Sequence, residues 1–261
     1  MEEKEELSYE EEIHPERRPH PVMRWIGRIL RWLGVALILF VIGLMLWRIR
    51  TMERIPKEMQ TLLVNDTTYA AYEENGKDLL IYTQEKLDPV TTNREAYGYF
   101  WIDQVLILPE AKQVQVLVKY NSSTLEHLAE DLELAAVPSR EEDVIDLSMR
   151  VITDATPDKL EDIEDEKTWL QSRLAPTGEV VRGEKDVYNF RKYIFDGVDI
   201  TADTIGLKVD FYYAGNVDYE SDPLGSLYVY YQLADKTPVK LSSADLEALN
   251  SYRNEGKTQE N

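Results

Sequence analysis

Cysteine is missing from all 261 positions. Its absence removes disulfides, thiolate metal ligands, thiol nucleophiles and lipid attachment through a lipobox cysteine. Secreted animal domains of this size ordinarily carry disulfides, so the composition fits a bacterial surface protein, a Gram-positive one in particular. Histidine is almost as scarce, and only His127 lies beyond the first twenty residues. With no Gly-x-Ser-x-Gly elbow and so few bases to activate a serine, a nucleophilic hydrolase is disfavoured. His127, between Glu126 and Leu128, reads as a solvent-facing imidazole on a helix. The twelve glycines build neither a Gly-x-Gly-x-x-Gly turn nor a P-loop, which argues against a nucleotide enzyme.

Basic residues are also in deficit. The formal net charge is −20, and it is unevenly shared: residues 51–261 hold 21 Lys/Arg against 41 Asp/Glu. A field of that sign repels nucleic acid and anionic headgroups, so no nucleic-acid partner is expected. It equally serves solubility, and it attracts cations or a basic partner.

What the chain does have is one uninterrupted apolar stretch, Trp32 to Trp47, with Arg28 and Arg31 before it and Arg48 and Arg50 after it. As a helix it is about 24 Å long, a little short of a hydrocarbon core of about 30 Å. The flanking arginines reach the headgroups along their methylene stems, and Trp25, Trp32 and Trp47 favour the same interface. Residues 25–50 are therefore expected to be a single transmembrane helix with its flanks, in contact with the lipid bilayer through residues 32–47. A buried core helix would need apolar partners on every side. A cleaved secretory signal would need a small-x-small site, whereas this run ends Leu46-Trp47-Arg48. An uncleaved signal-anchor is favoured.

Residues 1–24 read as a disordered acidic tail, rich in Glu and interrupted by Pro15, Pro19 and Pro21. Five basic residues precede the span closely and four follow it, a slight excess on the N-terminal side. That excess and the short tail before a large C-terminal part point to a cytoplasmic N-terminus and an extracellular domain at the cell membrane. Residues 51–65 are expected to be a juxtamembrane helix and linker, with Pro56 in the first turn of a short helix over 56–63.

From there, period two dominates. Residues 78–83 and 97–108 read as strands, the second apolar on both faces and stopped by Pro109. Residues 112–120 alternate, with Val114, Val116, Val118 and Tyr120 inward and Gln113, Gln115 and Lys119 outward. The pattern returns in residues 144–152, 187–195, 205–213 and 226–233. The expectation is a mainly β domain over 66–241, an antiparallel β-sandwich of immunoglobulin-like or related kind. Pro109-Glu-Ala111 suggests one hairpin, Asp196-Gly197 a second with the positive φ of a two-residue turn, and Asp222-Pro-Leu-Gly225 a further reversal. Helices are expected from a capping box at Ser123-Thr-Leu-Glu126, and from Thr156-Pro157 with Leu160, Ile163, Leu170 and Leu174 on one stripe. Residues 242–261 should be a short last helix and a polar tail. Asn65-Asp-Thr67 and Asn121-Ser-Ser123 match the glycosylation sequon, a pattern short enough to arise by chance.

Two excesses remain. Carboxylates crowd residues 154–166, and Asp196, Asp199 and Asp203 follow one another. Calcium takes six to eight oxygens and favours such clusters, so Asp154, Asp158, Asp162, Asp196, Asp199 and Asp203 are candidate ligands; a solvated acidic surface is the ordinary explanation, and no other cofactor is expected. Tyrosine occurs sixteen times. Tyr212, Tyr228 and Tyr230 alternate away from the core side of their strands, where they would form an aromatic face for a protein or glycan partner unless helices cover them. The function these features fit best is a membrane-anchored, non-catalytic binding or assembly module. The alternatives are a tethered enzyme acting on envelope polymers through acidic residues, and an accessory subunit of an export or transport complex.

Overall fold

The computed structural model describes residues 21–52, 54–85, 90–91, 100–153, 172–201, 204–230 and 237–259. The chain divides into two units, Met1–Thr51 and Met52–Asn261. The first contains α1, which runs from Pro21 to Met52, so residues 21–24 form its first turn rather than the end of the tail. Proline is suited to that position, where its missing N–H has no intrahelical partner. Within Trp25–Thr51 of α1 an 18-residue window has a mean hydropathy of 2.5 and buries none of its residues. It is long and apolar enough to cross a membrane, and a signal sequence near an N-terminus satisfies the same criterion.

The second unit is built on two antiparallel sheets. Its elements are α2 (Lys57–Gln60), α3 (Asp66–Asn75), β1 (Tyr82–Glu85), β2 (Val90–Thr91), β3 (Trp101–Leu108), β4 (Gln113–Asn121), α4 (Ser122–Asp131), β5 (Ile145–Thr153), β6 (Val181–Lys185), β7 (Tyr188–Asp196), β8 (Thr204–Tyr213), β9 (Gly225–Tyr230) and α5 (Ser243–Gln259). One sheet has the order β1-β3-β4-β7-β6 and the other β2-β9-β8-β5. Alternation decides which side chains meet. Val114, Val116 and Val118 of β4 and Tyr193 and Phe195 of β7 share one buried cluster with Leu147 and Met149 of β5, Val209 and Phe211 of β8, and Val229 of β9. Phe100 and Phe211 stack across it at 5.3 Å.

β3 is apolar on both faces for a separate reason. Val105 and Ile107 enter the main core, while Leu106 and Leu108 enter a smaller cluster with Leu62, Ala71, Leu79 and Ile81 on the outer side of the five-stranded sheet. A bulge between Ile102 and Gln104 leaves Asp103 without an opposite residue and resets which residues face outward.

Several expectations change. β7 and Val198–Ile200 do not form a hairpin at Asp196-Gly197. β7 already has β4 and β6 on its two sides, so the chain turns at Gly197 (φ 72°) and leaves the sheet, with Val198 N–H donating to Lys112 O at 2.8 Å. The hairpin partner of β7 is β6, reached through Asp186 at φ 54°. Helix α4 starts at Ser122, with Asn121 and Thr124 as its capping box instead of Ser123 and Glu126. Leu174 is not helical: it exchanges two backbone hydrogen bonds with Met149 at the edge of β5. The rest of the helix expected from Thr156 lies outside the described residues, as do residues 97–99 and 231–233 of two expected strands. Residues 66–75, given no element by periodicity, form α3, capped by Asn65. Both sequon asparagines thus use their side chains as helix caps. Of residues 51–65, expected as a juxtamembrane helix and linker, Lys57–Gln60 form α2, and Met59, Leu63 and Asn65 contact the outer face of the five-stranded sheet.

Candidate functional site

That outer face carries the side chains that alternation assigned to solvent. Gln113, Gln115 and Lys192 are fully buried there, covered by residues 55–65, which form a strap. Gln115 reproduces a strand pairing with its amide: Nε2 donates to Leu63 O at 2.7 Å and Oε1 accepts from Leu63 N–H at 3.0 Å. Gln113 Nε2 donates to Asn65 Oδ1 and Asp196 Oδ1, and Thr68 Oγ1 donates to Gln113 Oε1. Lys192 Nζ donates to Thr61 O at 2.6 Å and Met59 O at 3.3 Å. Burial pushes its ammonium down to about 7, opposed by the nearby Asp245 charge. Met59 fills the space over Gly183 and packs with Leu117 and Phe190.

Beside the strap lies a cavity of about 410 Å³, within the range of small-ligand sites. Its walls are the strap (Lys57 to Leu62), strands β1 and β3 with the residue before β1 (Ile81, Thr83, Gln104, Leu106), and the C-terminal segment (Val239 to Asp245). Helix α5 positions that last wall through a reciprocal cap. Asp245 Oδ2 accepts from the Ser242 backbone and hydroxyl while Ser242 Oγ accepts from Asp245 N–H. Asp245 Oδ1 is engaged by Leu62 N–H at 2.7 Å, so this carboxylate ties helix and strap together.

Two polar atoms on the wall are unsatisfied. Gln104 is 5 % exposed, yet its Oε1 has no hydrogen-bond partner among the described residues, and neither has Thr83 Oγ1. Leaving such groups buried and unpaired costs about 1–3 kcal/mol each, and neither atom is open to the cavity itself. Lys57 and Lys240 are exposed at the same cavity and form no ion pair among the described residues. Toward the cavity the arrangement presents two exposed cations, Lys57 and Lys240, beside the apolar Ile81, Leu106 and Val239.

The residues singled out by sequence fall elsewhere. Asp196 is engaged within the fold, accepting from Gln113, Asn65 and Thr177. Asp199 is exposed, and Asp154, Asp158, Asp162 and Asp203 lie outside the described residues. Among the described residues, no three His, Asp or Glu gather as metal ligands would. Tyr212 and Tyr228 do point away from the core, but each is 3 % exposed, so they offer no open aromatic platform. Tyr212 packs edge-on to Tyr219, whose hydroxyl donates to Asp146 Oδ2 at 2.7 Å and is held well above the usual phenol range by burial and that carboxylate. The Lys208 ammonium lies 5.6 Å from the Tyr228 ring. Tyr230 continues β9, and its side chain lies outside the described residues. His127 is exposed on α4, with Nδ1 2.7 Å from Ser123 O.

Sequence reasoning missed the cavity because its walls come from segments up to about 180 positions apart. One local signal existed: Gln104 interrupts the outward, apolar face of a strand that continues with Leu106 and Leu108. No family model matches the chain, and neither a curated protein nor a solved structure matches it significantly.

Proposed function

We propose that the chain is a single-pass membrane protein, with a cytoplasmic N-terminus, whose C-terminal domain stands outside the cell membrane as a non-catalytic module that binds a protein partner. The apolar helix Trp25–Thr51 supports the anchor. Strand order supports an immunoglobulin-like architecture for the domain. Taken from β3 onward, the orders β3-β4-β7-β6 and β5-β8-β9 reproduce the ABED and CFG sheets of an immunoglobulin constant domain, with β1 and β2 added at the edges. That fold usually bridges its second and sixth strands with a disulfide. In this cysteine-free chain the equivalent strands, β4 and β8, contribute Val116 and Val209 to a common apolar cluster instead.

The observation that carries the binding role is the cavity beside the strap, with the exposed Lys57 and Lys240 among its lining residues. Its one lining carboxylate, Asp245, is already engaged by Leu62 and Ser242, which favours recognition over acid–base chemistry. An alkaline carbonate wash should leave the chain in the membrane fraction. In mild detergent the wild type should migrate as a complex with its partner. Ala244→Trp, a change on the exposed first turn of α5 that fills the cavity, should leave the chain alone in its micelle. Release by carbonate contradicts the anchor, and a wild type that migrates alone contradicts the binding role.

A further inference from the structure

We infer that two copies of the chain pair along β6, edge to edge and antiparallel, joining their five-stranded sheets across a two-fold axis at Gly183. This surface is separate from the cavity beside the strap and goes beyond the role proposed for it.

β6 is the edge that the fold leaves open. Among the described residues β7 is its sole partner, whereas Val239 bridges to Ile81 just before β1 and Leu174 bridges to the edge of β5. The β6–β7 hairpin turns through two residues, Asp186 and Val187, with Lys185 opposite Tyr188. A two-residue loop makes that closing pair a hydrogen-bonded one, and alternation then directs Gly183 and Val181 to β7 as well. The backbone N–H and C=O groups of Arg182 and Glu184 therefore point to the open side. Among the described residues no backbone bond outside the sheet uses them, and the two side chains are 55 % and 44 % exposed.

The order of charge selects a second copy. Arg182 and Glu184 stand on one face of the strand, equally distant from Gly183. Antiparallel pairing centred on Gly183 sets each Arg182 opposite the second copy's Glu184, and in that same register the outward N–H and C=O groups meet. Charges on an edge ordinarily discourage pairing, but opposite signs placed symmetrically favour it with an identical strand. Neither side chain is saturated within its own chain. Asp143 serves both Arg182 at 2.5 Å and the buried Arg191 at 3.2 Å, while Arg140 stands 3.9 Å from Glu184. A two-fold axis normal to the sheet also keeps both straps on one face of the joined sheet, as two anchors in one bilayer require. Short strands and solvent-screened ion pairs associate weakly, so sharing a bilayer supplies the effective concentration, and dilution into detergent separates the copies.

The test uses the full chain in vesicles of zwitterionic lipid, where the absence of native cysteine makes introduced thiols unambiguous. Arg182→Cys and Glu184→Cys chains are oxidised with copper phenanthroline, separately and as an equal mixture. Opposite residues in a hydrogen-bonded pair lie about 5.5 Å apart, within disulfide reach, and like residues lie on a diagonal of about 7–8 Å. The mixture should therefore cross-link about fivefold faster than either chain alone. Charge is tested by energy transfer between donor and acceptor dyes on a tag after Asn261. Arg182→Glu and Glu184→Arg should each lower transfer about fivefold alone, by setting like charges opposite, and the two mixed should restore it. A role for these residues inside one chain gains nothing from mixing. Equal cross-linking in all three samples, or no rescue on mixing, overturns the inference. So does wild-type energy transfer without register-specific cross-links, which would assign the association to another surface. Ala244→Trp should leave the cross-links unchanged, so the cavity's binding role and the β6 pairing stand or fall separately.

Discussion

Lys192 is fully buried on a sheet face, held by two strap carbonyls and with no salt-bridging carboxylate within 4 Å among the described residues. Its folded pKa of about 7 lies below the ordinary 10.5, so between these values the folded chain holds fewer protons than the unfolded one. Stability therefore rises with pH across that window. The cost of burying the charge is fully present below about pH 7 and is relieved as pH climbs towards 10.5. The unfolding free energy from urea titrations should increase between neutral pH and pH 9.5 by about 1 kcal/mol per pH unit, and Lys192→Met should flatten that slope. Equal slopes in both proteins would mean that Lys192 stays charged throughout. Gln104 makes the opposite trade at the same scale. Because its Oε1 is desolvated without a partner among the described residues, Gln104→Leu should leave thermal stability unchanged or raise it by about 1 kcal/mol. A large loss of stability would show that the amide is structural.

The strap is the element on which the site depends, and Met59 packs directly over Gly183 of β6. A Cβ there would meet Met59 Cγ at 2.9 Å and Sδ at 3.0 Å, so the buried Met59 side chain would have to shift. Gly183→Val should cost about 1–3 kcal/mol and raise amide exchange over residues 57–63 well before it affects β4 or β7. Uniform exchange across the domain would contradict local docking.

The strands themselves were legible in the sequence. Val114 to Tyr120, Ile145 to Val151 and Leu207 to Phe211 announce their buried faces by alternation, and the structure extends or trims each by a residue or two. The strap was not legible, because Gln113, Gln115 and Lys192 occupy outward positions and polar residues there read as solvent-facing. Nothing local reveals that each hydrogen-bonds backbone from more than fifty positions earlier in the chain, or in the case of Gln113 a cap and a carboxylate equally remote. The tyrosines mislead in the same way. Alternation gave the correct side of the sheet for Tyr212 and Tyr228, but periodicity says nothing about whether that side is covered. Asp196-Gly197 has the residues of a hairpin turn, and only the occupancy of both edges of β7 excludes the hairpin.

For the whole molecule, charge and hydropathy divide the chain more sharply than any motif. An apolar helix precedes a domain with 41 acidic and 21 basic residues in its 211 positions. A domain of that charge is repelled by anionic headgroups. All of this depends on which side of the membrane the domain occupies. The most direct measurement is protease protection on intact cells that carry a tag after Asn261. An outward domain predicts that added protease removes the tag without lysis and leaves a membrane-held fragment that retains the N-terminus. A tag that survives until the cells are opened would place the domain in the cytoplasm and contradict the account.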